Sequence, residues 1–197
     1  MKIFTDEDAK RLAAALPTSP LLSIHASGHR LKPETLRILG TAVSKSKLKE
    51  LAIGDSSMGN EGALALVEGL QDAERLETLD LSLKGVGLET LMAIIKSIPN
   101  ILHLNLSRNP NIGHDLRNCE ALQPNVVASF FELNLSDCSL DSDTAFKWLG
   151  PHLKNVRTVR FSKNDLSTLE SFPFSSLAEA QHIHMDGCGL NDCQLGA

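Results

Sequence analysis

Residues 132–140 of the chain read "ELNLSDCSL". Leu133 and Leu135 stand two apart, the period that sends alternate side chains of a strand to one face, and Cys138 follows in a polar turn. A cysteine so placed reads as a metal ligand, a redox thiol or a residue with no chemistry of its own. Recurrence of the pattern decides among them. With apolar residues at positions 1, 4 and 6, a small polar residue at 9 and an apolar residue at 11, the template matches "LLSIHASGHRL" from Leu21 and "LKELAIGDSSM" from Leu48. It continues with "LETLDLSLKGV" from Leu76, "ILHLNLSRNPN" from Ile101, "FFELNLSDCSL" from Phe130, "VRTVRFSKNDL" from Val156 and "AQHIHMDGCGL" from Ala180. The windows begin 24 to 29 residues apart and reach across nearly all of the 197 residues.

Each window therefore predicts one strand of a parallel sheet, with positions 4 and 6 facing a shared interior. Between the windows the apolar period changes to that of a helix. Leu36, Leu39 and Val43 fall on one face of "LKPETLRILGTAV", Leu64, Val67 and Leu70 on one face of "MGNEGALALVEGL", and Phe146, Leu149 and Leu153 on one face of "LDSDTAFKWLGPHL". Strand and helix in alternation give an α/β fold.

This pattern resembles the leucine-rich repeat, and units of about 27 residues with a full helix resemble the ribonuclease-inhibitor-like type, found also in NOD-like receptors, the Ran GTPase-activating protein, tropomodulins and CARMIL proteins. The resemblance implies a solenoid with a curved parallel sheet on the concave side and helices on the convex side. It also implies a small polar residue at position 9 that bonds the backbone of the turn. His29, Ser56, Lys84, Asn109, Cys138, Asn164 and Cys188 occupy that position. Cys138 and Cys188 are thus expected to be structural, behaving as small buried hydrophobes. Lys84 and His29 are expected to mark local departures from a regular ladder.

The expected organisation is a single domain over 1–197, with a partial first repeat at 1–20 and strand-bearing repeats starting near 21, 48, 76, 101, 130, 156 and 180. In the first segment Thr5 and Asp8 resemble a capping box, and Leu12 and Leu16 are expected to face inward. The stretch after Asn109 carries Pro110, Gly113 and Pro124 and a poor helical stripe, which predicts an irregular loop or a short helix. Phe172 and Phe174 are expected to fill core space where a longer helix is lacking. "GLNDCQLGA" carries no recognisable polar cap, which suggests a piece of a longer array or an open edge covered by a partner.

Composition narrows the function. A formal net charge of -5 without a lysine or arginine run speaks against a nucleic-acid binder. No apolar stretch approaches the roughly 20 residues that span a bilayer, so no membrane insertion is expected, and "MKIFTDEDAK" does not read as a signal peptide. The four cysteines Cys119, Cys138, Cys188 and Cys193 show no CxxC spacing and fit reduced thiols in the cytoplasm.

No GxSxG, Walker A or HExxH motif occurs, and the recurrent serine at position 7 follows from the repeat, so an enzyme is not expected and no cofactor is implied. His182, His184 and Asp186 share one side of a strand and Cys188 lies close by, but alternate residues stand roughly 6.5 to 7 Å apart, wide for one ion. No metal is therefore assigned, and the histidines are taken as partner-facing.

The expected surface for a protein partner is the sheet face that carries the non-leucine positions. Position 5 contributes Asp80, Asn105, Asn134, Arg160 and His184, and position 3 contributes Glu50, His103, Glu132 and His182. Positions 7 and 8 add Asp55, Arg108, Asp137 and Lys163. The face is acidic in the middle with Arg160 and Lys163 beside it, a gradient suited to steering a partner. The functional reading is a protein-interaction scaffold acting through this face or the adjacent 110–129 segment. The alternative, drawn from the resemblance to the Ran activator, is a regulator of a small GTPase acting through Arg108.

Overall fold

The structure is a computed structural model that describes residues 4–118, 130–149, 152, 153, 155–170 and 177–191. Cys119, Pro124, Phe172, Phe174 and Cys193, and the expectations attached to them, lie outside the described residues.

All seven predicted strands are present: β1 (Ser23–Ser27), β2 (Glu50–Gly54), β3 (Thr78–Asp80), β4 (His103–Asn105), β5 (Glu132–Asn134), β6 (Thr158–Arg160) and β7 (His182–His184). They form one all-parallel sheet in chain order. The register pairs equal template positions, so Ile24, Leu51, Leu79, Leu104, Leu133, Val159 and Ile183 make one cross-sheet row. From Ile24 to Val159 this row is buried, while Ile183 on the last strand is only partly covered. Position 6 makes a second apolar row, with Ile53, Leu81, Leu106, Leu135 and Phe161 all shielded from solvent.

Helix α1 (Asp6–Ala15) precedes the sheet, and α2 (Pro33–Ser44), α3 (Gly59–Gly69), α4 (Leu88–Ser97) and α5 (Asn111–Arg117), followed by a wider π-type segment at Asp143–Leu149, lie between strands. The Thr5/Asp8 capping box is formed at the start of α1, Leu16 is buried and Leu12 is partly so. Leu36, Leu39 and Val43 of α2 are buried as expected, and so are Phe146, Leu149 and Leu153.

In α3 the expected stripe shifts. Ala63, Leu66, Val67 and Leu70 are buried while Leu64 is only partly so. The reason is the tight packing of α3 against α2, where Gly40 faces Gly69. A side chain on Gly69 would collide with the Arg37 and Thr41 backbone, and one on Gly40 would stand 2.6 Å from the Leu66 carbonyl. The two glycines let the helix backbones touch, which turns the Ala63 and Leu66 side inward.

The segment after Asn109 begins as the short helix α5. Position 11 of its window, Asn111, is exposed, and Ile112 takes the buried place one residue later. Gly113 belongs to the packing of α5 rather than to a loop. A side chain there would run into the Ser139 carbonyl, and its N–H donates to the Cys138 carbonyl at 3.0 Å. Helix α4 takes its N-terminal caps from its neighbours. Asn60 Oδ1 of α3 accepts from Gly87 N at 2.7 Å, and Asp115 Oδ2 of α5 accepts from Leu88 N at 2.9 Å. These side-chain oxygens satisfy N–H groups that have no partner within the helix.

The turns after the strands repeat one geometry. Position 8 has a left-handed backbone at Gly28, Leu83, Arg108, Asp137, Lys163 and Gly187, and only in the second turn does Gly54 take that role one residue earlier. Position 9 then meets the backbone of its own and the neighbouring turn. Asn109 Oδ1 accepts from Lys84 N and Val86 N at 3.0 and 3.2 Å, while its Nδ2 donates to the Leu81 and Leu106 carbonyls at 2.9 and 2.8 Å. Asn164 repeats this with Cys138 N, Leu140 N and the Leu135 and Phe161 carbonyls.

Candidate binding face of the sheet

Position 4 is buried beneath the strands, so positions 3 and 5 stand on the other face of the sheet. The register sets Asp80, Asn105, Asn134, Arg160 and His184 side by side, and likewise Glu50, Thr78, His103, Glu132, Thr158 and His182. Both rows anticipated from the sequence are therefore formed. Ala52, which pairs with Asp80, and Thr158 belong to these rows but are buried rather than exposed.

The acidic and basic members meet across the strands. Glu132 is centred between Arg160, whose Nε lies 2.5 Å from its Oε1, and His103, whose Nδ1 lies 3.6 Å from its Oε2. Burial alone would raise the Glu132 carboxyl, but the bond and charge of Arg160, followed by those of His103, outweigh it and hold the carboxyl below its ordinary value. His103 also stacks at a tilt on Phe131, with ring centres 5.4 Å apart, and the Arg157 guanidinium lies 5.8 Å from the centre of that ring. Phe131 remains 44% exposed. Farther along the row, His25 Nε2 approaches Glu50 at 3.6 Å.

Position 5 carries a structural duty that strand periodicity does not reveal. Oδ1 of Asp80, Asn105 and Asn134 accepts from the N–H of Ser82, Ser107 and Ser136 at 2.8, 3.1 and 3.0 Å. Each closes the turn two residues on, the local bond that favours Asp and Asn at such sites. Asp80 Oδ2 also accepts from Asn105 Nδ2 at 3.0 Å. These side chains line the face, but half of their bonding capacity serves the backbone. The Ser-x-Asp/Asn spacing read backwards, "DLS", "NLS" and "NLS", was the available signal.

The remaining candidates lie at the strand ends. Asp55 and Arg108 do not join the rows. They line a cleft of about 650 Å³ together with Ser27, Ser56, Ser82, Lys84 and Ser107. Asp137 and Lys163 are exposed at left-handed turn positions. Asp186 accepts from Ser162 Oγ at 3.1 Å. His182 is exposed and His184 partly so, and among the described residues no group of three or more His, Cys, Asp or Glu side chains could hold a metal ion.

Cys138 and Cys188 are free and buried, and each donates its Sγ–H to a carbonyl, that of Leu106 and that of Phe161, at 3.2 Å. Burial pushes the Cys138 thiol up to about 12 and raises Cys188 in the same direction. Such thiols are poor nucleophiles and poor ligands.

No family model fits the chain, and no curated protein sequence matches it. Among the described residues no helix is long and apolar enough to cross a membrane.

Proposed function

We propose that the chain is a leucine-rich repeat solenoid of the ribonuclease-inhibitor-like type, and that it works as a cytoplasmic scaffold holding a protein partner across the sheet face opposite the buried leucine row. The observation that carries this reading is the row pairing of Glu132 with Arg160 and His103, beside Asp80 and Asn105, on a face whose apolar element, Phe131, stays open. Charges of opposite sign fixed in register orient a partner and raise its encounter rate. An exposed aromatic ring flanked by arginine and histidine supplies the kind of anchor that dominates interface energies.

Because Asp80 holds the backbone of its own turn, charge reversal there would disturb the fold as well as the face. Among the described residues the side chains of Glu50 and Glu132 bond no backbone group, and they make the cleaner test. The double variant Glu50→Lys/Glu132→Lys is compared with wild type for association with the partner captured from the native cell, at low and physiological salt. Slower association with a changed salt dependence and an unaltered circular dichroism spectrum is expected. Unchanged association, with loss on substituting exposed residues of α2 to α4, would remove the face from consideration. The scaffold is expected to leave GTP hydrolysis by a panel of small GTPases unaccelerated, whether or not Arg108 is present.

A further inference from the structure

Lys84 stands at position 9, where its neighbours Asn109 and Cys138 spend their polar atoms on the turn backbone. Lysine has no acceptor with which to do so. Its residue surface is only 4% exposed, yet among the described residues no hydrogen bond or ion pair holds its ammonium. Every fully buried side-chain nitrogen or oxygen among the described residues does have a hydrogen-bond partner, so the tip of Lys84 reaches solvent. Its stem is buried and its head emerges, as long amphipathic side chains do. Burial lowers its affinity for a proton, while the charges of Asp80 and Asp55 work against that shift.

The cleft lined by Lys84 is rich in uncommitted donors. Ser27, Ser56, Ser82 and Ser107 line it, and among the described residues none of their hydroxyls bonds to protein. Arg108 borders it from a left-handed turn position and is exposed, with no ion pair among the described residues. The opposing charge is Asp55, whose Oδ1 already accepts from the N–H and hydroxyl of Ser57 at 3.1 and 2.8 Å. Asp80 lies near Lys84 but outside the lining, and both of its oxygens are engaged by Ser82 and Asn105. Two cations face the charge of Asp55 in the lining and that of Asp80 beside Lys84, which leaves the cleft close to neutral and surrounded by hydroxyl donors. That balance fits a monoanion with two acceptor oxygens better than it fits a phosphate dianion.

We infer that this cleft at the ends of β1 to β4 is a carboxylate subsite, in which Lys84 and Arg108 receive a glutamate or aspartate side chain of the protein partner. The inference rests on the scaffold reading for its ligand, but it concerns a different place from the sheet face. It gives the partner an acidic residue beyond the edge of the strands, which would fix where along the sheet it stops.

The test uses the full chain and N-acetyl-glutamate α-amide as probe, followed by the chemical shifts of the Lys84 ε-methylene and the Ser82 and Ser107 amides. Saturable shifts confined to these groups are expected, absent with the glutamine analogue. Lys84→Met should weaken binding by about tenfold or more, the loss of a charge-assisted bond. It should also melt no lower than wild type, because an ammonium that burial has largely stripped of water is replaced by an apolar side chain of similar length. Arg108→Met, at an exposed position, gives the same reading should Lys84→Met fold poorly.

Equal shifts with the glutamine analogue, or full binding by both variants, would overturn the subsite, and tighter binding of the phosphoserine analogue would overturn the carboxylate assignment. Glu50→Lys/Glu132→Lys should leave probe binding intact, so failure of the face and failure of the cleft are read separately. Partner association at an unchanged rate with Lys84→Met would detach the cleft from the partner.

Discussion

Position 9 shows how one site in a repeated turn accepts chemically different residues. Asn109 and Asn164 use both ends of the amide, joining two turns, whereas Cys138 and Cys188 give a single weak donor to a carbonyl. His29 instead ties down the start of the chain, accepting the Phe4 N–H at 3.3 Å with the two rings in edge contact. The thiols follow from this placement. With Cys138 raised to about 12 by burial, alkylation in the native protein at pH 8 should be orders of magnitude slower than for a free cysteine, and Cys188 should also be slow. Peptide mapping after iodoacetamide treatment, with and without urea, checks this; labelling of Cys138 in the folded chain at the rate of a denatured control would place the sulfur in solvent.

At the scale of elements, the strands were legible and the helix contacts were not. Leu79, Leu104 and Leu133 announce their strands because the two-residue period is local, and every strand from β3 to β7 covers positions 3 to 5 of its window. Gly40 and Gly69 are where α2 and α3 touch, and the apolar stripe of neither helix marks them. That information belongs to a pair of residues far apart in the chain, and no periodicity within one helix encodes it. The same holds for the cap that Asp115 gives to α4, and for the second role of Asp80, Asn105 and Asn134 on the candidate face. The polar rows could be read from the repeat, but the cleft around Lys84 could not, because its lining is gathered from four successive turns. A test of the helix contact is Gly69→Ala. Its side chain would meet the Arg37 and Thr41 backbone, which cannot swing aside, so a loss of about 1–3 kcal/mol or more is expected in urea unfolding. An unchanged midpoint would mean that α2 and α3 part easily.

For the whole molecule, the neighbour-to-neighbour sheet makes the middle the place of greatest leverage. Leu133 lies in β5 with no exposed surface, paired on either side with Leu104 and Val159. Leu133→Ala should leave a cavity costing about 2–5 kcal/mol. Its further effect is on cooperativity: hydrogen exchange should show β6 and β7 opening before β1 to β3, because among the described strands β5 is the one hydrogen-bonded to both β4 and β6. Uniform acceleration across the sheet would contradict that picture.

The order of the sheet also bears on how the chain is made. β1 to β7 lie side by side in the order in which a ribosome would release them. Each strand finds its partner already synthesised and next to it, and the bonds that tie turn to turn, such as Leu106 N to the Asn134 carbonyl, span a single repeat. At roughly 5–20 residues per second a new repeat emerges every few seconds, long compared with the microseconds to milliseconds in which short-range contacts form. Assembly can therefore run from β1 toward β7 during synthesis, with each new strand covering the growing edge left by the one before it.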